Sequence, residues 1–70
     1  MINKVLKENL LWFPIATSIR DFECDKYSKE ICYLRMNNFP EEPLWTLFYK
    51  GESFDFDDAP ASWKINYRNN

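Results

Sequence analysis

Apolar positions near the N-terminus recur at intervals of three and four, with charged residues between them, as the buried face of a helix requires. These positions are Ile2, Val5, Leu6, Leu10 and Phe13. Asn3 is able to cap the start of such a helix, and Pro14 ends it. The pattern therefore predicts a helix over residues 3–11.

The pattern between Ile15 and Cys24 does not fit one regular strand. Ile15 and Ile19 lie at odd positions, whereas Phe22 and Cys24 lie at even positions. A bulge near Arg20 would reconcile the two halves in one strand. A loop that leads into a shorter strand explains the pattern almost as well, and both alternatives stay open.

The next segments predict a turn, a strand and a loop in succession. Residues 25–29 are polar and predict a turn, and residues 31–36 are rich in β-formers and predict a strand. Residues 37–43 contain Pro40 and Pro43, which exclude regular strand pairing. This third segment therefore predicts a loop.

The clearest pattern is a β-hairpin centred on the single glycine of the chain. Gly51 follows Lys50 between two apolar runs, as in a two-residue turn that needs a residue with positive φ. The implied pairs are Trp45 with Phe56, Leu47 with Phe54 and Tyr49 with Glu52. A slip of one residue would place aromatic rings opposite aspartates, so the pattern determines the register.

The same alternation aligns the preceding strand with the hairpin. The implied pairs are Met36 with Trp45, Leu34 with Leu47 and Cys32 with Tyr49. The residues expected in the core are Trp45, Leu47, Phe54 and Phe56, together with Trp12 or Phe13. The opposite face, called the outer face below, is expected to carry Ile31, Tyr33, Arg35, Thr46, Phe48 and Asp55.

The segment after the hairpin is expected to complete a small α+β domain. Asp57 or Asp58 caps a short helical turn near residues 59–60, Trp63 folds back to close the core, and residues 66–70 are frayed. The fold expected is an N-terminal helix packed on a three- or four-stranded antiparallel sheet, a meander. A chain of 70 residues supplies one core, so residues 1–70 are expected to be a single domain.

The chain has no apolar stretch close to the roughly 20 residues that span a membrane. Its N-terminus has a lysine and an apolar run, but Glu8 and Asn9 interrupt that run and no small-residue cleavage site follows. We therefore expect a cytoplasmic protein without membrane contact. Cys24 and Cys32 are then expected to be two buried thiols, although a disulfide is possible if the flanking strands form a hairpin.

The net charge of −2 is distributed unevenly along the chain. Residues 1–40 carry six basic and five acidic groups, residues 41–58 one basic and six acidic, and residues 59–70 two basic, which gives +1, −5 and +2. The acidic middle segment repels phosphate backbones and attracts basic surfaces. Direct binding to nucleic acid is therefore disfavoured, and a basic protein partner is favoured.

The residue types argue against catalysis. The chain has no histidine to act as an acid or base near neutral pH, and one glycine cannot build a phosphate-binding loop. Asp55, Asp57 and Asp58 are typical of a solvated strand face, because the glycine and terminal glutamate of a calcium loop are missing. We expect no enzyme, no metal and no cofactor.

The outer face has the composition of a protein interface, with exposed Tyr, Phe and Arg beside acidic residues. Arg35 and Asp55 lie in one cross-strand row, where an ion pair and a contact role are equally plausible. The residues expected to contact a partner are Tyr33, Arg35, Glu41, Glu42, Phe48, Asp55, Asp57 and Asp58.

The segment from Cys32 to Trp63 resembles a family of small uncharacterised bacterial proteins. The resemblance rests on Leu34-Arg35-Met36-Asn37-Asn38-Phe39-Pro40, on Pro43-Leu44-Trp45-Thr46-Leu47, and on Asp55-Phe56-Asp57-Asp58 followed by Pro60 and Trp63. Such proteins are similar in size and context to immunity proteins encoded beside toxins. The resemblance covers about half of the chain and assigns no functional residues.

The resemblance implies a binding module that masks the basic cleft of a toxin or nuclease with carboxylates. A phage-encoded inhibitor of a host nuclease would share these features. The alternative is a homo-oligomeric accessory protein, a homodimer for example, that pairs through Tyr33 and Phe48. A metal-dependent enzyme at the aspartates is a third, less favoured hypothesis.

Overall fold

The computed structural model describes residues 2–67 and shows a small α+β fold. A short N-terminal helix accompanies a curled, mixed sheet of six strands in this range. The elements are α1 (Ile2–Lys7), β1 (Leu10–Pro14), β2 (Asp21–Cys24), β3 (Cys32–Met36), β4 (Trp45–Tyr49), β5 (Glu52–Phe56) and β6 (Trp63–Ile65). The strands are ordered β5-β4-β3-β2-β1-β6 across the sheet.

The N-terminal helix is shorter than the sequence predicts. It ends at Lys7, and the apolar run that follows forms β1 instead. In β1, Leu10 and Trp12 are buried, whereas Leu11 and Phe13 are each 41% exposed. An apolar run this short fits both a helical and a strand period, and pairing with strands on both sides decides for the strand. The prediction of a helix over residues 3–11 is therefore wrong beyond Lys7.

The sheet is not the antiparallel meander of three or four strands that the sequence predicts. Strands β1 to β5 do form antiparallel neighbours, but β6 pairs in parallel with β1, with Leu10 beside Trp63 and Trp12 beside Ile65. Residues 59–60 therefore do not begin a helix but belong to a crossover that carries the chain from one edge of the sheet to the other. Trp63 is buried, as predicted.

Regular hydrogen bonding extends one residue further towards the C-terminus than the sequence predicts. The Asn66 backbone N–H donates to the Trp12 carbonyl at 2.9 Å, and the Asn66 side chain donates to the same oxygen at 3.2 Å. The expectation of fraying from residue 66 onwards is therefore wrong at Asn66. Residues 68–70, also expected to be frayed, lie outside the described residues.

The predicted hairpin and its register are confirmed. Trp45 lies opposite Phe56, and Leu47 lies opposite Phe54. Lys50 and Gly51 have φ values of 48° and 83°, the left-handed conformations that a tight hairpin turn between twisted strands requires. The register between β3 and β4 is also confirmed at all three predicted pairs.

The remaining predicted segments agree with the structure to within a residue or two. Of the two alternatives for residues 15–24, the loop followed by a short strand is confirmed, because β2 begins at Asp21. The turn at residues 25–29 and the loop at residues 37–43 both occur, and β3 begins at Cys32 rather than Ile31.

The core lies on the inner face of the sheet, the face on which α1 packs. Its buried members are Val5, Leu10, Trp12, Phe22, Cys24, Cys32, Leu34, Trp45, Leu47, Tyr49 and Trp63. Trp12, rather than Phe13, is thus the core aromatic of β1. Phe54 was predicted in the core but is 44% exposed, because β5 is an edge strand and only Phe56 reaches the rest of the core.

Candidate functional site

The outer face carries a stacked pair of aromatic rings at its centre. Tyr33 in β3 lies opposite Phe48 in β4, and their ring centroids are 4.5 Å apart at an interplanar angle of 16°. Both side chains are half-buried. Since α1 packs on the inner face through Val5, no helix of residues 2–67 covers this pair. The two rings therefore remain partly exposed to solvent.

Arg35 lies against both rings. Its guanidinium carbon is 5.8 Å from the Tyr33 ring centroid and 5.5 Å from that of Phe48, within the range of a cation–π contact. The planar guanidinium of arginine packs well against aromatic faces. We call Tyr33, Phe48 and Arg35 the aromatic cluster.

Asp21 in β2 orients Arg35 from the other side. Arg35 Nε donates to Asp21 Oδ1 at 2.9 Å and Nη2 donates to Oδ2 at 3.4 Å, a two-pronged contact between residues that face each other in the register. The hydrogen bond to Asp21 raises the pKa of Arg35 above its ordinary value. The sequence offered Asp55 as the ion-pair partner of Arg35, and that is wrong. The sequence did not predict Asp21 as the partner of Arg35, because the pattern of residues 15–24 leaves the start of β2 open.

Asp55 takes part in a different interaction. Thr46 stands between Arg35 and Asp55 in the cross-strand row, and its hydroxyl donates to Asp55 Oδ1 at 2.7 Å. The Asn37 side chain in turn donates to Thr46 Oγ1 at 2.7 Å and to the Pro43 carbonyl at 3.0 Å. This chain of hydrogen bonds holds the exposed Asp55 carboxylate in place and ties it to the loop after β3.

Four more carboxylates lie at the end of the sheet where β4 begins and β5 ends: Glu41 and Glu42 belong to that loop, and Asp57 and Asp58 follow β5. Glu42 Oε1 accepts from the Asn38 backbone N–H at 3.0 Å, and Asp57 Oδ1 accepts from the Leu44 backbone N–H at 3.0 Å. These two carboxylates therefore also stabilise the loop. Glu41 and Asp58 are exposed at the same end. We call Glu41, Glu42, Asp55, Asp57 and Asp58 the acidic end.

Sequence reasoning missed a cation at the acidic end. Arg20 Nη2 donates to Asn38 Oδ1 at 2.8 Å, and the Arg20 carbonyl accepts from the Met36 N–H at 2.9 Å. Its guanidinium therefore adds a positive charge next to the loop that carries Glu41 and Glu42. No spacing in the sequence predicts this contact, because it joins two irregular loops.

Two exposed apolar residues of the outer face were also missed. Leu11 and Phe13 are each 41% exposed, and Phe13 lies opposite Glu23, which shares a face with Asp21. They form a second apolar area on the outer face, which Asp21 and Glu23 of β2 separate from the aromatic cluster. The alternation of these two residues with Leu10 and Trp12 is typical of a strand. The same segment also fits the helical spacing of the N-terminus, and the helix was predicted instead.

A small open hollow lies beside Tyr33. It has a volume of about 220 Å³ and is lined by Ile15, Thr17, Ser18, Asp21, Lys29 and Tyr33. Small-molecule and cofactor pockets usually have volumes of roughly 300–1,000 Å³. The hollow is thus better suited to a side chain of a partner than to a cofactor.

Further observations bear on the class of protein. Among residues 2–67, no three His, Cys, Asp or Glu side chains are grouped so that they could hold a metal ion. Over the same residues, no helix has the length and apolar character needed to cross the bilayer. No protein-family model, curated protein or solved structure matches the chain. Function is therefore inferred from the outer face itself.

Proposed function

We propose that the chain is a protein-binding module whose outer face docks on a basic surface of another protein. In the specific form of this proposal it is an immunity protein or inhibitor that masks the basic site of a toxin or nuclease. The observation that carries the proposal is the aromatic cluster, in which two partly exposed, stacked rings lie beside an Arg35 that Asp21 orients.

The aromatic cluster supports binding because its geometry is already restrained. Tyr33 and Phe48 stack on each other, and Arg35 is held by Asp21, so docking costs little additional side-chain entropy. Tyr and Arg are also among the residues that contribute most to protein interfaces. The hollow beside Tyr33 offers a place for a partner side chain at the rim of the cluster.

The acidic end supports a basic partner. Its five carboxylates lie at one end of the sheet, and Asp55 shares a cross-strand row with Arg35. Complementary charge mainly accelerates encounter and selects among partners. Arg20 and Arg35 make the surface mixed in sign, so a partner that is basic but also carries acidic groups fits better than a uniformly basic one.

The experiment compares two double variants with the same change in net charge. Glu41→Lys with Asp58→Lys alters the acidic end while sparing the carboxylates that bind the loop backbone. Glu30→Lys with Glu52→Lys is the control of equal charge at the opposite end of the sheet; it removes hydrogen bonds from Ser28 and from the Ile2 backbone N–H, so circular dichroism checks that both variants fold. A tagged chain captures its partner from source-cell extract, and calorimetry then measures affinity for the isolated partner.

We expect affinity to fall at least about tenfold for the acidic-end variant and to change little for the control. Phe48→Ala should weaken binding by a similar factor if the aromatic cluster is an anchor. Equal losses in the two charge variants would point to net charge alone. Unchanged affinity in the acidic-end variant and in Phe48→Ala would contradict the proposal.

A homo-oligomer that pairs through the same face is the second candidate. The exposed side chains of Leu11 and Phe13 favour it, because they add a second apolar area to the same face, on the far side of Asp21 and Glu23. Sedimentation at micromolar concentration separates the candidates. A dimer that Leu11→Glu dissociates would support self-association, whereas a clean monomer would exclude it.

A further inference from the structure

Two cysteines lie at the adjoining ends of neighbouring antiparallel strands. In the pairing of β2 with β3, Asp21 lies opposite Arg35 and Phe22 lies opposite Leu34. The ladder ends at that pair, since the Cys32 backbone N–H donates to the Ser28 carbonyl at 2.9 Å, but the strand directions bring Cys24, at the end of β2, next to Cys32, at the start of β3.

The two thiols also contact each other and are chemically unequal. Both are buried and free, with 6% of Cys24 and none of Cys32 exposed. The Cys24 sulfur accepts hydrogen bonds from the Cys32 thiol and from the backbone N–H groups of Lys26 and Tyr27, and these bonds lower the pKa of Cys24 to about 6. The same thiol–thiol contact and burial raise the pKa of Cys32. Cys24 is the sulfur better placed to carry a thiolate, because it alone of the two has the backbone groups of Lys26 and Tyr27 as hydrogen-bond partners.

We propose that Cys24 and Cys32 form a reactive dithiol that small disulfides, such as oxidised glutathione, convert to a cross-strand disulfide. The reaction is independent of what the outer face binds, because both sulfurs lie on the inner face among the core residues.

The electrons and protons balance in two exchange steps. The Cys24 thiolate attacks one sulfur of the reagent, which breaks the reagent's S–S bond, forms a mixed disulfide and releases one thiolate. Cys32 then loses its proton, and its sulfur attacks the Cys24 sulfur and displaces the second thiolate. In sum, the protein dithiol gives up two electrons and two protons, and the reagent becomes two thiols.

The turn between the two cysteines controls access. Tyr27 packs on Tyr49 with ring centroids 5.4 Å apart, and its hydroxyl donates to Glu8 at 2.5 Å. These contacts hold the turn that follows Cys24, and because Cys24 is buried, a reagent reaches its sulfur only when this part of the chain opens. Replacement of Tyr27 should therefore accelerate the first step without changing the final product.

The test treats the reduced protein with oxidised glutathione near neutral pH and follows intact mass and peptide maps. We expect wild type to lose two hydrogens and to yield one peptide pair linked through Cys24 and Cys32. Cys32→Ser should accumulate the mixed disulfide on Cys24. Cys24→Ser should react at least about tenfold more slowly, because its remaining thiol is protonated and buried. Tyr27→Ala should form the disulfide faster than wild type.

A second measurement keeps the test independent of how well the variants fold. Brief alkylation of the native wild type, followed by peptide mapping, should modify Cys24 before Cys32. Equal modification of both cysteines would overturn the proposed order of attack. A wild type that stays reduced, or that forms only disulfides between chains, would overturn the proposal itself.

Discussion

The rings of Phe56 and Trp63 contact each other edge to face, with centroids 5.8 Å apart, although they belong to strands at opposite edges of the sheet. The sheet therefore curls until its two edges meet. The ring centroids of Trp63 and Trp12 are 5.0 Å apart, and Trp63 Nε1 donates to the Val5 carbonyl at 3.2 Å. One indole thus connects α1, β1 and β5.

We expect replacement of Trp63 to lower the free energy of unfolding more than any other substitution in this contact. Trp63→Phe loses the hydrogen bond to Val5 and part of the ring volume, so we expect the free energy of unfolding to fall by about 1–3 kcal/mol. Trp63→Ala should cost about 3–5 kcal/mol, close to the whole stability of a domain this small. Urea unfolding followed by circular dichroism measures both.

Phe54→Ala is the matched control, because the sequence assigned both aromatics to the core. Phe54 is 44% exposed, so its removal should cost about 1 kcal/mol or less. A loss as large as that of Trp63→Phe would mean that β5 is buried more deeply than the structure indicates.

The hairpin turn allows the cost of backbone conformation to be measured without packing changes. Gly51 has φ of 83°, and a Cβ added there would meet no atom within 4 Å. Gly51→Ala should therefore destabilise the protein by about 1–2 kcal/mol through backbone strain alone. Lys50→Asn should be neutral or slightly stabilising, since Asn tolerates positive φ and Asn-Gly is preferred in such turns. Thermal unfolding compares them, and an Ala variant as stable as the Asn variant would contradict this account.

Thr46 should contribute stability through its hydroxyl rather than its volume. It is 9% exposed and links the Asn37 amide to the Asp55 carboxylate. Thr46→Val keeps the shape but removes both hydrogen bonds, and we expect a loss of about 0.5–1.5 kcal/mol, because Asp55 is exposed to water and the Asn37 amide still donates to Pro43. Thr46→Ser retains the hydroxyl and should lose less. If chemical denaturation finds Val no worse than Ser, the hydrogen-bonded chain contributes nothing.

The pH dependence of stability should reveal Tyr27. The hydrogen bond to Glu8, followed by burial, raises the pKa of Tyr27 above its ordinary value. A tyrosine in the unfolded chain ionises near pH 10, so the folded state binds the proton more tightly above that pH. The contribution is therefore fully present below about pH 10 and is lost as pH rises towards the folded pKa.

The measurement compares wild type with Tyr27→Phe by urea unfolding between about pH 8 and pH 11. Stability of wild type should decline more steeply at the alkaline end, because the variant has no hydroxyl to ionise at this position. Lysines also titrate in this range, but they are identical in both proteins. Parallel curves would show that the Tyr27 hydroxyl is not held by Glu8 in solution.

The hairpin and the neighbouring strand were predictable from the sequence because their information is local. A single glycine beside Lys50 defines the turn, and strict alternation of rings and aspartates allows only one register. The central residues of the outer face, Tyr33 and Phe48, follow directly from that register. This part of the candidate site therefore needed no tertiary information.

The partners of the charged residues were not predictable. Arg35 lies opposite Asp21 on one side and opposite Thr46, which precedes Asp55 in the same row, on the other. Only the position of β2 decides which carboxylate Arg35 binds. Arg20 reaches Asn38 from a loop of irregular structure. Such contacts depend on how loops approach each other, for which a sequence period contains no information.

By itself, the sequence determined a strand pair with fixed faces, an aromatic pair on the outer side and an acidic segment beside it. The tertiary structure alone decided that Leu10–Pro14 is a strand and that Trp63–Ile65 pairs with it in parallel. The physical reason is that a short apolar run fits two periods, so the free energy of pairing and burial selects between them. The pairing of Trp63–Ile65 also depends on distant parts of the chain. The indole of Trp63 is buried only where both edges of the sheet and the helix meet.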